Sequence, residues 1–380
     1  MGIRKLIALG LCLVSIHALG QSKIMANFSA ELGSNYFKAK GVQNIFLSSS
    51  PLDFPMETGS LNGKSAHLFA HSESTLSFFS DKSKPSRYYF EFGYDFDAYL
   101  GSTENGFDLY RFGNSTVKDA LLDQTKVKLI GKQFLGFGKI YSFGNFEFRP
   151  GIYFTRVSGY QDLDLHNGRI KTNDFGSQVD LTYDYDYERL SDQPAFGAFL
   201  NSELSYSTDN QKLKFNLGRI GFLNGEMIHT QNQGDTSLQG FNLQDLIAGN
   251  QNEGSLEDHF LSGDTLNTLR MLPASFSLVY LRKSTLKSNF LWYGLSLRQE
   301  ILGFSPLWIG PRFVLETEKL KAYAQVEFSN KPLWQGGLGI GYVFKNDHEI
   351  KIETRSLPGF ILPENGHSLS AWLSYSITIK

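Results

Sequence analysis

The chain has 380 residues, 41% hydrophobic and 14% aromatic, with 37 Gly and 11 Pro, enough for one large closed sheet or for two ordinary domains. A formal net charge of −2 supplies no basic excess for nucleic acid, which is not expected as a partner. The one cysteine, Cys12, falls in a leader, so the expected mature chain carries no disulfide and must be held by its own hydrogen bonding.

Residues 1–20 read as a secretory signal peptide. Arg4 and Lys5 form the basic start, Leu6 to Ile16 the apolar core, and Ala18-Leu19-Gly20 a small-x-small cleavage site. The apolar run is shorter than the ~20 residues a spanning helix needs. Leu11 before Cys12 is not the small residue that lipidation signals favour. Residues 21–380 then read as one domain.

Strand patterns follow. Ile24, Ala26, Phe28, Ala30 and Leu32 alternate with Asn27, Ser29 and Glu31. Residues 40–60 break the pattern, and 33–60 are a candidate lumenal segment. A weaker strand is expected near Ala66 to Phe79. From Arg87 to Leu100, Tyr88, Phe90, Phe92, Tyr94, Phe96, Ala98 and Leu100 share one face, and Arg87, Glu91, Asp95 and Asp97 the other. A helix would mix these sets; a strand separates them. A short strand is expected around Phe107 to Phe112. Val127, Leu129, Leu135 and Phe137 alternate with Lys126, Lys128 and Lys132, and a tight turn follows near Gly144.

Asn167-Gly168 is a type I′ hairpin signal. Beyond it Val179, Leu181, Tyr183, Tyr185 and Tyr187 oppose Asp180, Thr182, Asp184, Asp186 and Glu188. Strands 196–206 and 213–223 come next, then a polar segment, 224–271, read as a long outer loop in which Leu238, Phe241, Leu246 and Ile247 suit a short amphipathic helix. After Leu272-Pro273 regular strands are expected at 274–282, 289–301, 307–316, 319–329, 334–345, 348–356 and 368–380. The last is clear: Leu369, Ala371, Leu373, Tyr375, Ile377 and Ile379 against Ser370, Trp372, Ser374, Ser376, Thr378 and Lys380.

The oily faces are continuous and the opposite faces carry charge in nearly every strand. That is the reverse of a soluble barrel, which turns its oily face inward. Lipid admits a sheet only when every backbone group is paired, which means closure. The fold expected is an all-β, antiparallel transmembrane β-barrel of about 14 strands, within 12 to 16, with short inner turns and long outer loops. Tyr88, Tyr99, Trp308, Trp334 and Trp372 lie near strand ends as candidate interface aromatics, with Trp308, Trp334 and Trp372 read on the inward parity.

The leader ending in Ala18-Leu19-Gly20-Gln21, the long polar loop, the Leu272-Pro273-Ala274-Ser275-Phe276 entry and the regular C-terminal strands together resemble Bacteroidota outer-membrane barrels, among them families distantly similar to long-chain fatty-acid transporters. The resemblance covers most of the mature chain as a pattern. It implies a 14-stranded barrel, an N-terminal segment in the lumen, a pathway for a hydrophobic solute, residence in the outer membrane of a Gram-negative bacterium, and handling by the barrel assembly machinery. Such chains commonly end on an aromatic residue, and this one ends on Lys380.

Candidate lumen-facing residues are the ladder Asp180, Asp184, Asp186 and Glu188 and the cations Lys126, Lys128, Lys132, Lys212 and Lys214. Like charges two apart on one strand face lie ~7 Å apart and need water, basic partners or a cation such as Ca²⁺. The lysines are expected to pair with acids across the lumen. His67 and His71, four apart, would sit ~13 Å from each other on a strand, so no metal site and no cofactor is assigned. Gly336, Gly337, Gly339 and Gly341 alternate with apolar residues and are no phosphate loop. No nucleophile motif stands out, so no enzyme is expected. The function expected is passive passage or binding of a small hydrophobic or amphipathic solute, with outer-membrane lipid around the barrel. The alternative is a structural or secretion-accessory barrel whose loops bind partner proteins.

Overall fold

The computed structural model describes residues 22–35, 37–39, 66–80, 86–112, 116–173, 178–239, 263–284, 291–300, 305–330, 334–344, 348–362 and 367–379. The leader and the 40–60 part of the candidate lumenal segment lie outside them. Seventeen strands form one sheet: β1 (Ser22–Ser34), β2 (Ala66–Phe79), β3 (Ser86–Ser102), β4 (Asp119–Leu121), β5 (Thr125–Phe143), β6 (Phe146–Thr172), β7 (Gln178–Leu190), β8 (Ala195–Ser207), β9 (Gln211–Gln239), β10 (Asp264–Met271), β11 (Ser275–Lys283), β12 (Leu291–Gln299), β13 (Trp308–Glu316), β14 (Leu320–Ser329), β15 (Trp334–Val343), β16 (Glu349–Thr354) and β17 (Ser368–Ile379).

Three pairs of these strands lie end to end against one long neighbour. Strands β4 and β5 both pair with β6, β7 and β8 both with β9, and β10 and β11 also both with β9. The wall therefore has 14 antiparallel staves. It closes where β1 runs against β17 from Ser22↔Ile379 to Gly33↔Ser368, which leaves no open sheet edge.

Connections at the Ser22/Ile379 end are short, as at 144–145, 208–210 and 317–319; those at the other end are longer, as at 35–65, 240–263 and 355–367. We call these the turn end and the loop end. Among the described residues, two short helices lie at the loop end, α1 (Glu104–Phe112) and α2 (Leu357–Ile361).

Several local expectations change. Helix α1 stands where a strand was expected at 107–112. Thr103 Oγ1 accepts from the Gly106 N–H at 3.1 Å and starts a helical turn, and Phe107 and Leu109 are buried. Asn167-Gly168 makes no hairpin: β6 runs straight through it, with Asn167 opposite Asp184 and Gly168 opposite Tyr183, and the register slip just before it leaves His166 as the extra residue of a bulge. The segment 224–271 is not one loop. Residues 224–239 complete β9 and 264–271 form β10; Leu238 is therefore strand, and Phe241, Leu246 and Ile247 lie outside the described residues. Cross-strand hydrogen bonding to β7 and β10 holds polar residues that carry no oily alternation of their own.

The faces are turned inside out relative to a soluble barrel. Outward-facing Phe137, Phe154 and Ile340 are each more than half exposed, whereas Glu31, Asp97 and Lys132 are 1% exposed. An apolar surface of this extent on every side is at home only in lipid. Trp308 and Trp372 point inward, Trp308 beneath Arg298 and Trp372 beneath Arg355. Trp334 points outward, half exposed on the parity of Leu338 and Ile340, while Gln335, Gly337, Gly339 and Gly341 take the inward parity. Tyr88 is outward, but Tyr99 is buried inside against His67.

Candidate functional site

The inward parity of β3 carries Asp95 and Asp97, and the neighbouring staves set their partners by register. Lys132 stands opposite Asp95 and His71 opposite Asp97. Lys132 Nζ is 2.7 Å from Asp95 Oδ2, and His71 Nδ1 is 2.7 Å from Asp97 Oδ1. Arg219 reaches the same carboxylates from β9, four staves away, with Nη1 2.9 Å from Asp97 and Nη2 2.9 Å from Asp95.

A bulge makes that reach possible. Gly218 and Arg219 together stand opposite Asn201, and Arg219 takes the left-handed conformation, φ 62°, which costs a non-glycine residue about 1–2 kcal/mol. Asn201 Oδ1 accepts the Arg219 N–H at 2.7 Å and holds the bulge.

A second cluster closes the other half. Arg298 of β12 forms a two-point pair with Glu31 of β1, 3.0 Å at each guanidinium nitrogen, and two further bonds to Glu327 at 3.2 Å. Six staves separate β12 from β1, so the Glu31–Arg298 pair spans the lumen. Glu327 also accepts from Gln335 at 2.9 Å and Ser296 at 3.0 Å. Glu300 ties the clusters together: its carboxylate lies 3.2 Å from Arg298 and 3.6 Å from Arg355, and its backbone carbonyl accepts from Arg219 at 3.3 Å. Desolvating this many charges is tolerable only because each has several partners. The result is a belt of ion pairs across the barrel.

Aromatic groups cover the belt on its loop side, with Phe69, Tyr99 and Trp308 in one cluster and Phe37, Ala66, Leu68 and Phe107 in another. Phe37 meets Phe107 edge to face at 5.3 Å, so the described start of the segment after β1 is packed at the loop end. Towards the turn end the lumen widens into two chambers that share Asn216. One, of 250 Å³, has Phe134, Tyr153 and Phe199 on its wall and Asp95, Arg219 and Glu300 above. The other, of 480 Å³, has Arg355 and Glu353 at its belt side.

The predicted site residues divide into three groups. Lys132 belongs to the belt. Lys212 and Lys214 line the larger chamber; Lys212 pairs with Glu316 and lies over Trp292, and Lys214 is 2.9 Å from Glu203. The rest lie beyond the span, at the loop end. Strand β8 matches residues 146–157 of β6, so β7, matched to 161–172, rises above them.

There Glu188 and Asp186 find partners along the wall, one or two staves away, and not across the lumen. Lys126 meets Asp164 and Lys128 meets Asp162, each at 2.6 Å; Glu188 receives Arg270 at 2.6 Å; and Asp186 is 3.0 Å from His166. Asp184 stands opposite Asn167, and Asp180 accepts from Ser237 at 2.5 Å at the exposed rim. The Asp186 carboxylate, by its hydrogen bond, pushes the His166 imidazole above its ordinary range.

Of the two histidines considered for metal, His67 is 2.7 Å from the Tyr99 hydroxyl. His71, Asp95 and Asp97 bring three potential ligand atoms within 4.8 Å of one another. Both carboxylates are already taken by Lys132 and Arg219, which makes this a salt-bridged cluster. Sequence reading missed Arg219, Arg298, Glu300 and Arg355. For Arg298, Glu300 and Arg355 the signal was charge on the polar parity, which does not say which charges share a height; Arg219 falls on the parity of Leu213, Phe215 and Leu217 and faces inward only through the bulge.

No protein-family model and no curated protein matches the chain. Among solved structures it is similar to the Pseudomonas putida toluene transporter TodX at 10% identity, covering 96% of this chain and 91% of that one, TM-score 0.44. It is similar to a Pseudomonas aeruginosa FadL homologue at 10% identity, covering 94% and 89%, TM-score 0.42. The Ralstonia pickettii toluene transporter TbuX matches at 9% identity, covering 96% and 91%, TM-score 0.44. Likeness at this level assigns neither a family nor a solute.

Proposed function

We infer that this chain is an outer-membrane barrel of a Gram-negative bacterium that passes a small amphipathic solute down its gradient, with the turn end in the periplasm and the loop end outside. The short-turn, long-loop asymmetry supports that orientation. The observation that carries the reading is the Glu31–Arg298 pair, which ties one side of a charged, water-compatible lumen to the other through side chains. Side chains can swing aside without unfolding a stave. The aromatic cover and the two chambers place apolar and polar surface along the same path, as an amphipathic solute requires.

Single-channel conductance in planar bilayers tests this. The wild type is expected to be almost silent, and Arg298→Ala and Glu31→Ala to conduct. If none of them conducts, in protein shown to be folded by heat-modifiable gel migration, the gated-path reading falls and a closed, partner-binding barrel replaces it.

A further inference from the structure

We propose that the larger chamber is a binding site for a small organic dianion, a molecule with two carboxylate, sulfonate or phosphate groups on a compact, partly apolar body. The chamber holds 480 Å³ and is lined by Lys212, Lys214, Arg312, Lys321, Lys351 and Arg355 against only Glu316 and Glu353. Those two carboxylates are shared, Glu316 by Lys212 and Lys321, and Glu353 by Lys351, Arg312 and Arg355; behind the lining, Glu349 lies 3.3 Å from Lys321, Glu203 2.9 Å from Lys214 and Glu300 3.6 Å from Arg355. The surface that faces the chamber is therefore cationic.

The Nε and Nη1 of Arg355 are buried with no hydrogen-bond partner, and the nearest carboxylates stand 3.9 and 3.6 Å away. Buried donors left unmet favour an anion that supplies acceptors. Apolar surface from Val279, Leu281 and Val314 lies beside these cations. Two charges spaced across a compact body suit it better than one charge on a long chain. The barrel wall encloses the chamber, so lipid headgroups are not its occupants.

This rests on the reading of the lumen as the solute's path, but binding is measured without crossing, so the two fail separately. The full chain in detergent micelles is titrated with naphthalene-1,5-disulfonate, and quenching of tryptophan fluorescence is followed. Saturable quenching is expected, weakened at least tenfold in Lys212→Gln/Lys321→Gln/Lys351→Gln and unchanged in the rim variant Lys126→Gln/Lys128→Gln, all shown to be folded by heat-modifiable migration. Naphthalene-1,5-diamine serves as the charge-reversed probe. The proposal is overturned if the wild type does not saturate, if the triple variant binds as tightly, or if the diamine binds as well as the disulfonate.

Discussion

Two charged regions of this barrel use the same residue types and do different work. At the loop-end rim, Lys126–Asp164 and Lys128–Asp162 join adjacent staves across one register position. In the belt, Arg219–Asp97 and Arg298–Glu31 join staves four and six apart. These rim pairs lie along the wall; these two belt pairs cross the space it encloses. Burial follows the same division, since Lys126 is 47% exposed at its side chain and Arg298 is 4% exposed. Exposed pairs contribute little, whereas a buried charge stripped of its partner is expensive.

The comparison predicts its own order of effects. Arg298→Ala is the largest, because it leaves Glu31 and Glu327 facing each other without their shared cation. A loss of about 3–5 kcal/mol is expected, read as a lower urea midpoint for the folded gel band, together with the conductance above. A variant as stable as wild type would show that water already enters the belt and neutralises the comparison.

Arg219 comes next and separates strain from charge. Arg219→Gly suits the left-handed backbone at φ 62° but removes both ion pairs. Its urea midpoint should lie below wild type yet above that of Arg219→Ala, by roughly 1 kcal/mol. Equal midpoints for the two variants would mean the bulge carries no strain.

At the rim, the double variant Lys126→Gln/Asp164→Asn should change stability by less than about 1 kcal/mol in the same assay. A change as large as that of Arg298→Ala would erase the distinction drawn here.

The smallest effect is at His166. Its hydrogen bond to Asp186 raises the imidazole's pKa, so the pair's contribution is full below about pH 6.5, the unfolded value, and is lost as pH rises through the raised folded one. The His166 ring signal, followed by NMR across pH, should titrate later than in Asp186→Asn, where the largest cause of the upward shift is removed.

Much of the wall was legible. The seven strands expected after Pro273 were found within two residues of their observed ends, from β11 to β17, because each alternates cleanly between lipid and lumen. Legibility failed where alternation is absent. Residues 224–239 are held in β9 by pairing with β7 and β10, not by any apolar face of their own. Helix α1 was mistaken for a strand because Phe107, Leu109 and Phe112 carry apolar side chains compatible with either spacing. Of the candidate lumenal residues, Lys132 lies in the belt and Lys212 and Lys214 in a chamber, whereas Asp180 through Glu188 lie beyond the span.

The sequence by itself determined which face of each stave meets lipid, since side chains alternate with a period of two and lipid rejects charge. It thereby determined that Glu31, Asp97, Arg298 and Glu327 point inward. Only the tertiary structure decided that they meet. Meeting depends on stagger between staves distant in the chain, on the bulge at Gly218-Arg219 that aims one guanidinium, and on closure of β1 against β17, which carries Glu31 to within 3.0 Å of Arg298. Parity is local and repeats along each strand; height around a closed barrel is set by every register at once.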